Sequence, residues 1–268
     1  MSSEIFTHNG TRTAWKQVGE GKPLLILHGW GSNSTVMHPL ATRLKDIRTC
    51  YLLDFPGFGE SPEPPEPWSV DNYAELVEEF IKKIIPTEKT DLLVHSYGAR
   101  VALKLLARKE FSGNIDKVIV TGGAGLRPKR HFSYYLKKYT AKTLKAPFLI
   151  LPGQLREKGL NHLRKTALWR KLGSSDYQKL SGIMRETFVK SVTEYLDELL
   201  PHIEHEVLLI WGKDDTATPL DQAKRFEKGL KKSALVIIEN ASHYSFLDDE
   251  RQFEAIVRAY LEPVQQTN

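Results

Sequence analysis

The stretch that decides the fold is Asp91-Leu-Leu-Val-His-Ser96-Tyr-Gly-Ala-Arg-Val101. An apolar run leads directly into Ser96, and apolar residues then recur at helical spacing. This order predicts a buried strand, a tight turn and a helix, with the serine at the apex. Such a turn exposes the hydroxyl and directs the N–H groups of the following helix toward negative charge in front of it. Alone, the pattern is equally typical of an ordinary structural turn.

Strand and helix patterns alternate along most of the chain. Buried-strand patterns occupy 24–27, 48–53, 92–94, 117–121, 207–211 and 234–239. Asn9-Gly10 between two extended segments predicts an antiparallel hairpin at one edge. Together these patterns predict an α/β protein with a mostly parallel sheet of about eight strands and helices on both faces.

The segment 126–203 interrupts the alternation, because it is helical in pattern and shows no clear strand. We therefore predict that residues 1–125 and 204–268 form the core. Residues 126–203 would then be a helical cap, inserted after the sixth strand. Such an insertion lies at the carboxyl edge of the sheet, where open α/β sheets bind ligands.

Composition places the chain among ordinary globular proteins. Its 268 residues are 41% hydrophobic and 26% charged, which suffices for one domain with an insertion. The start, Met1-Ser2-Ser3-Glu4, lacks the pattern of a signal peptide, and no apolar run is long enough to span a bilayer, so we expect a cytoplasmic protein. Cys50 is the single cysteine, which excludes an internal disulfide.

A serine hydroxyl is a weak nucleophile unless a base activates it and a third group orients that base. His243 follows the last predicted strand, and Asp214 and Asp215 follow the strand before it. The spacing of Asp215 to Gly212 and Pro219 favours Asp215 over Asp214, which stays the alternative. The chain order is then serine, aspartate, histidine.

Five segments together give the sequence its resemblance to the α/β-hydrolase family, over essentially the whole chain. They are His28-Gly-Trp-Gly31, Asp54-Phe-Pro-Gly-Phe-Gly-Glu-Ser61, the turn around Ser96, Gly212-Lys-Asp-Asp-Thr-Ala-Thr-Pro219, and His243. One position departs from the family pattern: Val94 stands where a glycine is usual, two residues before the serine.

The resemblance implies a carboxylesterase-like serine hydrolase with a helical cap. It implies Ser96 as nucleophile, His243 as base and Asp215 as the group that orients the base. It also implies an oxyanion hole made by the backbone N–H groups of Trp30 and Tyr97. No cofactor and no metal are expected.

Other histidines and acids in these segments have structural interpretations. His95 adjoins Ser96, but neighbouring residues in a strand point to opposite faces. We expect His28 to hold the loop that follows it, and Asp54 to hold a turn. His202 and His205 have spacing that suits a metal pair poorly.

Basic residues are concentrated between Arg127 and Lys171, where thirteen lysines and arginines accompany one acid, Glu157. This segment carries a net charge of +12. One interpretation is a lid whose apolar face covers the pocket, which makes Phe132 and Tyr135, with Trp30 and Tyr97, candidates for substrate binding. The other is that the basic face contacts anionic lipid head groups or attracts anionic substrates. Nucleic acid is not expected, since no recognition motif accompanies the charge.

The leading functional hypothesis is hydrolysis of a carboxylic ester with a small or medium acyl group. Hydrolysis of a C–C bond, a lactone or an amide by the same residues is the alternative within the fold. A non-enzymatic sensor that binds a ligand in the same pocket is the alternative outside enzymology. The sequence does not indicate an oligomeric state.

Overall fold

The computed structural model of the chain describes residues 3–85, 89–129, 132–166, 180 and 182–262, without the side chains of 132–138, 141, 164 and 165. Eight strands form one sheet in the order β1-β2-β4-β3-β5-β6-β7-β8. The strands are β1 (Glu4–His8), β2 (Thr11–Val18), β3 (Pro23–Leu27), β4 (Thr49–Leu53), β5 (Thr90–His95), β6 (Ile115–Thr121), β7 (Glu206–Gly212) and β8 (Lys232–Ile238). Pairings of β1 with β2 and of β2 with β4 are antiparallel, and the other five are parallel. The predicted fold class is confirmed.

Helices connect the strands on both sides of the sheet. They are α1 (Ser34–Leu44), α2 (Val70–Ile84), α3 (Tyr97–Leu106), α4 (Lys109–Ser112), α5 (Phe132–Leu149), α6 (Gly153–Lys165), α7 (Gly182–Thr193), a 3₁₀ helix (Asp197–His202), α8 (Leu220–Gly229), α9 (Ser245–Asp248) and α10 (Glu250–Leu261). Among the described residues, none of these helices combines the length and the apolar character needed to cross a bilayer.

The hairpin at the edge of the sheet forms as predicted. Asn9 and Gly10 form a two-residue turn between β1 and β2, with φ values of 47° and 75°. Such left-handed pairs match the twist of the strands that they join.

Two apolar layers cover the two faces of the sheet, and β3 shows why its sequence is apolar throughout. Leu25 and Leu27 pack into the layer that includes α2 and α3. Leu24 and Ile26 pack into the opposite layer, which includes α1 and α10. Since successive side chains alternate between faces, a strand covered on both faces has no polar positions.

The helices α5, α6 and α7 all lie between β6 and β7 in the chain, and α7 is bound to the core by specific contacts. Thr187 of α7 accepts a hydrogen bond from the backbone N–H of Trp68 at 3.1 Å. The buried guanidinium of Arg100 donates to the carbonyl groups of Ser191 and Glu194, at 2.9 and 2.6 Å. These carbonyls lie at the C-terminal end of α7, where a helix leaves such groups unsatisfied.

Asp54 organises the turn that follows β4. One of its carboxylate oxygens accepts the backbone N–H of Ser34 at 2.5 Å, and the other accepts that of Glu60 at 3.0 Å. Gly59 lies directly against this carboxylate with a φ of 56°, and a Cβ there would come within 2.3 Å of it. The turn thus needs a residue with no side chain at position 59.

We expect Gly59→Ala to lower the free energy of unfolding by about 2 kcal/mol or more, because it adds left-handed strain and displaces the Asp54 carboxylate. Chemical denaturation monitored by circular dichroism measures this. Gly113→Ala is the matched control, since Gly113 has ordinary helical geometry and open space around its Cα. Equal stability of the two variants would contradict the role assigned to Gly59.

Candidate active site

Ser96 occupies a strained turn between β5 and α3. Its φ and ψ are 50° and −107°, values that non-glycine residues rarely adopt and that occur mainly at functional sites. Gly98 permits this turn, because a Cβ there would lie 2.7 Å from the carbonyl oxygen of Leu27 in β3. Val94 is buried between Leu27 and Val120 on the two neighbouring strands, and the turn forms with valine in that position.

The structure brings Ser96, His243 and Asp215 together at the carboxyl edge of the sheet. Ser96 Oγ lies 2.9 Å from His243 Nε2, and His243 Nδ1 lies 2.8 Å from Asp215 Oδ2. With the ring proton on Nδ1 directed at the carboxylate, Nε2 is free to accept the hydrogen of the serine hydroxyl. This arrangement can remove a proton from Ser96 and stabilise the positive charge that then forms on the imidazole.

Asp215 is held by its own loop as well as by the histidine. Its Oδ1 accepts the backbone N–H groups of Ala217 and Thr218, each at 2.8 Å, and its Oδ2 accepts the Thr218 hydroxyl at 2.8 Å. Burial acts to raise the pKa of Asp215, but the hydrogen bonds from His243 and Thr218 outweigh it and leave the pKa below its ordinary value. Asp214 is exposed, and its backbone N–H donates to the carbonyl of Ala241. The carboxylate that contacts the imidazole is that of Asp215.

His95 supports the loop that carries His243. Its Nε2 lies 3.0 Å from the backbone carbonyl of His243, and the two rings pack with centroids 4.7 Å apart. Burial lowers the pKa of His95 to about 3, so the ring is neutral near pH 7 and its Nε2–H donates to that carbonyl. Sequence reasoning gave His95 a structural role but could not identify this contact, which joins residues far apart in the chain.

The loop that carries Trp30 lies against Ser96. A Cβ on Gly29 would lie 3.0 Å from the Cβ of Ser96, so the backbone of Gly29 lies directly against the serine side chain. His28 fixes this loop, since its Nε2 accepts the backbone N–H of Phe55 at 3.0 Å and its Nδ1 donates to the Gly29 carbonyl at 2.7 Å. Tyr97 is the first residue of α3, and its backbone N–H therefore has no partner within the helix.

The four residues considered for substrate binding have different environments. The half-buried Trp30 ring packs edge-to-face on Tyr97 and, at 5.1 Å between centroids, against Phe188 of α7. Tyr97 has its ring in the core and its hydroxyl 3.0 Å from Ser191 Oγ, so its side chain faces away from solvent. The side chains of Phe132 and Tyr135 lie outside the described residues.

Sequence reasoning did not identify two residues of this site, Phe188 and Thr218. The sequence around Phe188 did not predict its contact, because a helix without a clear apolar face does not show which of its residues packs against the core. Thr218 had only part of a local signal: a loop aspartate commonly accepts the backbone N–H two residues on, as Asp215 does from Ala217, but this does not single out the threonine that follows.

His202 and His205 lie in the described part of the chain, at and just after the end of the 3₁₀ helix. No group of three or more histidine, cysteine, aspartate or glutamate side chains there is placed to hold a metal ion. His205 instead directs its Nε2 at the carbonyl of Ser112, at 2.9 Å.

The fold has counterparts among known proteins. The family model for the alpha/beta hydrolase fold matches residues 22–250, and the chain belongs to this family.

Individual relatives are distant but of similar length. The chain is 26% identical to the AB hydrolase superfamily protein YisY of Bacillus subtilis, with 97% of this chain and 99% of the relative covered. It is 27% identical to a pimeloyl-acyl-carrier protein methyl ester esterase of Aeromonas hydrophila, with 92% and 98% covered. Among solved structures, the esterase EaEST of Exiguobacterium antarcticum superposes with a TM-score of 0.74 at 23% identity, covering 98% of this chain and all of that one.

We expect Thr218→Val to slow covalent labelling of Ser96 by a fluorophosphonate about tenfold. The change removes a hydrogen bond to a charged carboxylate, an interaction worth about 1.5 kcal/mol or more, and leaves the shape of the side chain. Labelling rates measured by gel fluorescence test this. Thr216→Val, at an exposed position of the same loop, should label at the wild-type rate. Equal rates for both variants would remove Thr218 from the support of Asp215.

Proposed function

We propose that the protein is a serine hydrolase that cleaves carboxylic esters of small or medium acyl groups. The observation that carries this proposal is the continuous hydrogen-bond chain from Asp215 through His243 to the strained Ser96. The esterase relative from Aeromonas supports an ester as the bond that is cleaved.

In this mechanism, His243 takes the proton of Ser96 while Oγ attacks the ester carbonyl. The backbone N–H groups of Trp30 and Tyr97 stabilise the oxyanion, and a well-aimed donor of this kind is worth about 3 kcal/mol. Collapse of the tetrahedral intermediate releases the alcohol, which takes its proton from His243. Water, activated by the same histidine, then hydrolyses the acyl-enzyme, and the Asp215 carboxylate stabilises the imidazolium in both steps.

We further propose that residues 126–203 act as a cap that shapes the acyl pocket. Two observations support this: α7 is bound to the core through Arg100 and Thr187, and Phe188 of α7 packs on Trp30 beside the catalytic serine. Trp30 thus lies where core and cap meet, and it is the side chain we assign to contact with the acyl group.

We expect Ser96→Ala to retain the wild-type melting temperature and to lose hydrolysis of p-nitrophenyl esters by about a thousandfold or more, because no other group replaces the nucleophile. Assays with a series of increasing acyl length measure this loss and also the size of the pocket. Turnover by Ser96→Ala close to the wild-type rate would exclude Ser96 as nucleophile. Wild-type protein that labels with a fluorophosphonate yet turns over no ester, lactone, amide or C–C substrate would favour the sensor.

The pair Asp215→Asn and Asp214→Asn separates the two neighbouring acids. We expect Asp215→Asn to lower kcat about a thousandfold, because an amide cannot stabilise the imidazolium and favours the wrong tautomer of His243. Asp214→Asn removes one charge from the same loop without touching the ring, so its kcat should remain near wild type. Steady-state kinetics on one p-nitrophenyl ester compares them, and similar losses in both variants would overturn the assignment.

A further inference from the structure

Helices α5 and α6 form a hairpin whose turn is apolar and exposed. The chain from Pro147 to Pro152 reads Pro-Phe-Leu-Ile-Leu-Pro and contains no polar side chain. Ile150 at the turn is 87% exposed, Leu149 before it is 55% exposed, and Leu155 in the first turn of α6 is 60% exposed. We call residues 149–151 and Leu155 the apolar tip.

The packing of Phe148 explains why the tip points outward. Gly159 of α6 leaves a space that the Phe148 ring fills, since a Cβ on Gly159 would lie 2.3 Å from that ring. The backbone N–H of Leu151 also donates to the Phe148 carbonyl at 3.3 Å, which closes the turn. Phe148 therefore fills the space between the helices, and the residues after it are left on the outside.

A lysine lies behind the apolar tip on each of the two helices. Lys142 lies seven residues before Leu149 on α5, and Lys158 lies three residues after Leu155 on α6, so on each helix an apolar residue and a lysine share a face. Tyr139, 60% exposed, is three residues before Lys142. Aliphatic residues at a protruding turn, with lysines and a tyrosine behind them, form the pattern of segments that enter the interfacial region of a bilayer.

We propose that the apolar tip inserts into the head-group region of an anionic lipid surface, with Lys142 and Lys158 contacting the lipid phosphates. A second copy of the chain is the less suitable occupant, because a symmetric contact would bring two segments of net charge +12 together. A folded protein partner would need a groove complementary to the tip, whereas a fluid bilayer accepts a protruding turn of any shape. This proposal is independent of the hydrolase activity.

Vesicle flotation with the full chain tests the proposal. We expect binding to phosphatidylcholine vesicles that contain phosphatidylglycerol to be about tenfold tighter than binding to pure phosphatidylcholine, and to weaken as salt screens the lipid charge. Ile150→Glu should reduce binding to the anionic vesicles about tenfold, because it places a carboxylate at the point of insertion. Lys142→Gln combined with Lys158→Gln should also weaken binding, since each cation near such a surface contributes about fivefold.

Matched controls lie elsewhere on the surface. Ile5→Glu changes an exposed isoleucine on β1, and Lys224→Gln with Lys228→Gln removes two exposed lysines from α8; both should bind like wild type. Thermal melting verifies that each variant is folded, and Ile150→Ser replaces Ile150→Glu if the latter melts early.

Three results would overturn the proposal. The first is equal binding to neutral and anionic vesicles, or binding to neither at low salt. The second is wild-type vesicle binding by both Ile150 variants. The third is a concentration-dependent dimer in sedimentation velocity that Ile150→Glu dissociates, which would assign the tip to a second copy.

Discussion

The hydrogen bond between Ser96 and His243 joins residues 147 positions apart, and it depends on the parallel arrangement of the sheet. Ser96 follows β5 and His243 follows β8, two strands separated in the sheet by β6 and β7. Because all four strands run in the same direction, their carboxyl ends lie along one edge. The loop after β8 must still cross the ends of two strands to bring the imidazole to the serine.

Two glycines make this crossing possible. At the end of β6, a Cβ on Gly122 would lie 3.1 Å from the His243 ring, and the φ of this residue is 53°. At the end of β7, a Cβ on Gly212 would come within 2.2 Å of the Ser242 carbonyl oxygen. The side chain of His95 then holds the crossing loop through the backbone carbonyl of His243. The position of the imidazole thus depends on the lack of a side chain at Gly122 and Gly212 as well as on hydrogen bonds.

Local sequence patterns were sufficient for much of the fold, because its main features are local. The apolar run before Ser96, the Asn9-Gly10 turn and the alternation of strands and helices each depend on residues close in the chain. The last strand was predicted over 234–239 and is observed over Lys232–Ile238. This shift is expected for an edge strand, since only Ile238 in it is buried and its pattern is therefore weak.

Contacts between distant segments could not be predicted in this way. The side chains of Ser96, Asp215 and His243 meet in space, and the spacing to Gly212 and Pro219 favoured Asp215, the acid that contacts the ring. The bond from His95 to the His243 carbonyl, the contact of Phe188 with Trp30, and the packing of Phe148 on Gly159 have no signature in a single sequence. Each depends on how two elements are placed, which the residue pattern of either element does not determine.

The turn from Asp215 to Thr218 has a consequence for how the imidazole can move. Backbone N–H groups of Ala217 and Thr218 anchor one oxygen of the carboxylate, and this anchoring does not involve the ring. The negative charge therefore keeps its place even if the ring turns about it. A histidine that takes a proton from one oxygen and gives it to another has to turn in this way, and the two backbone N–H groups of this loop hold the carboxylate as its pivot.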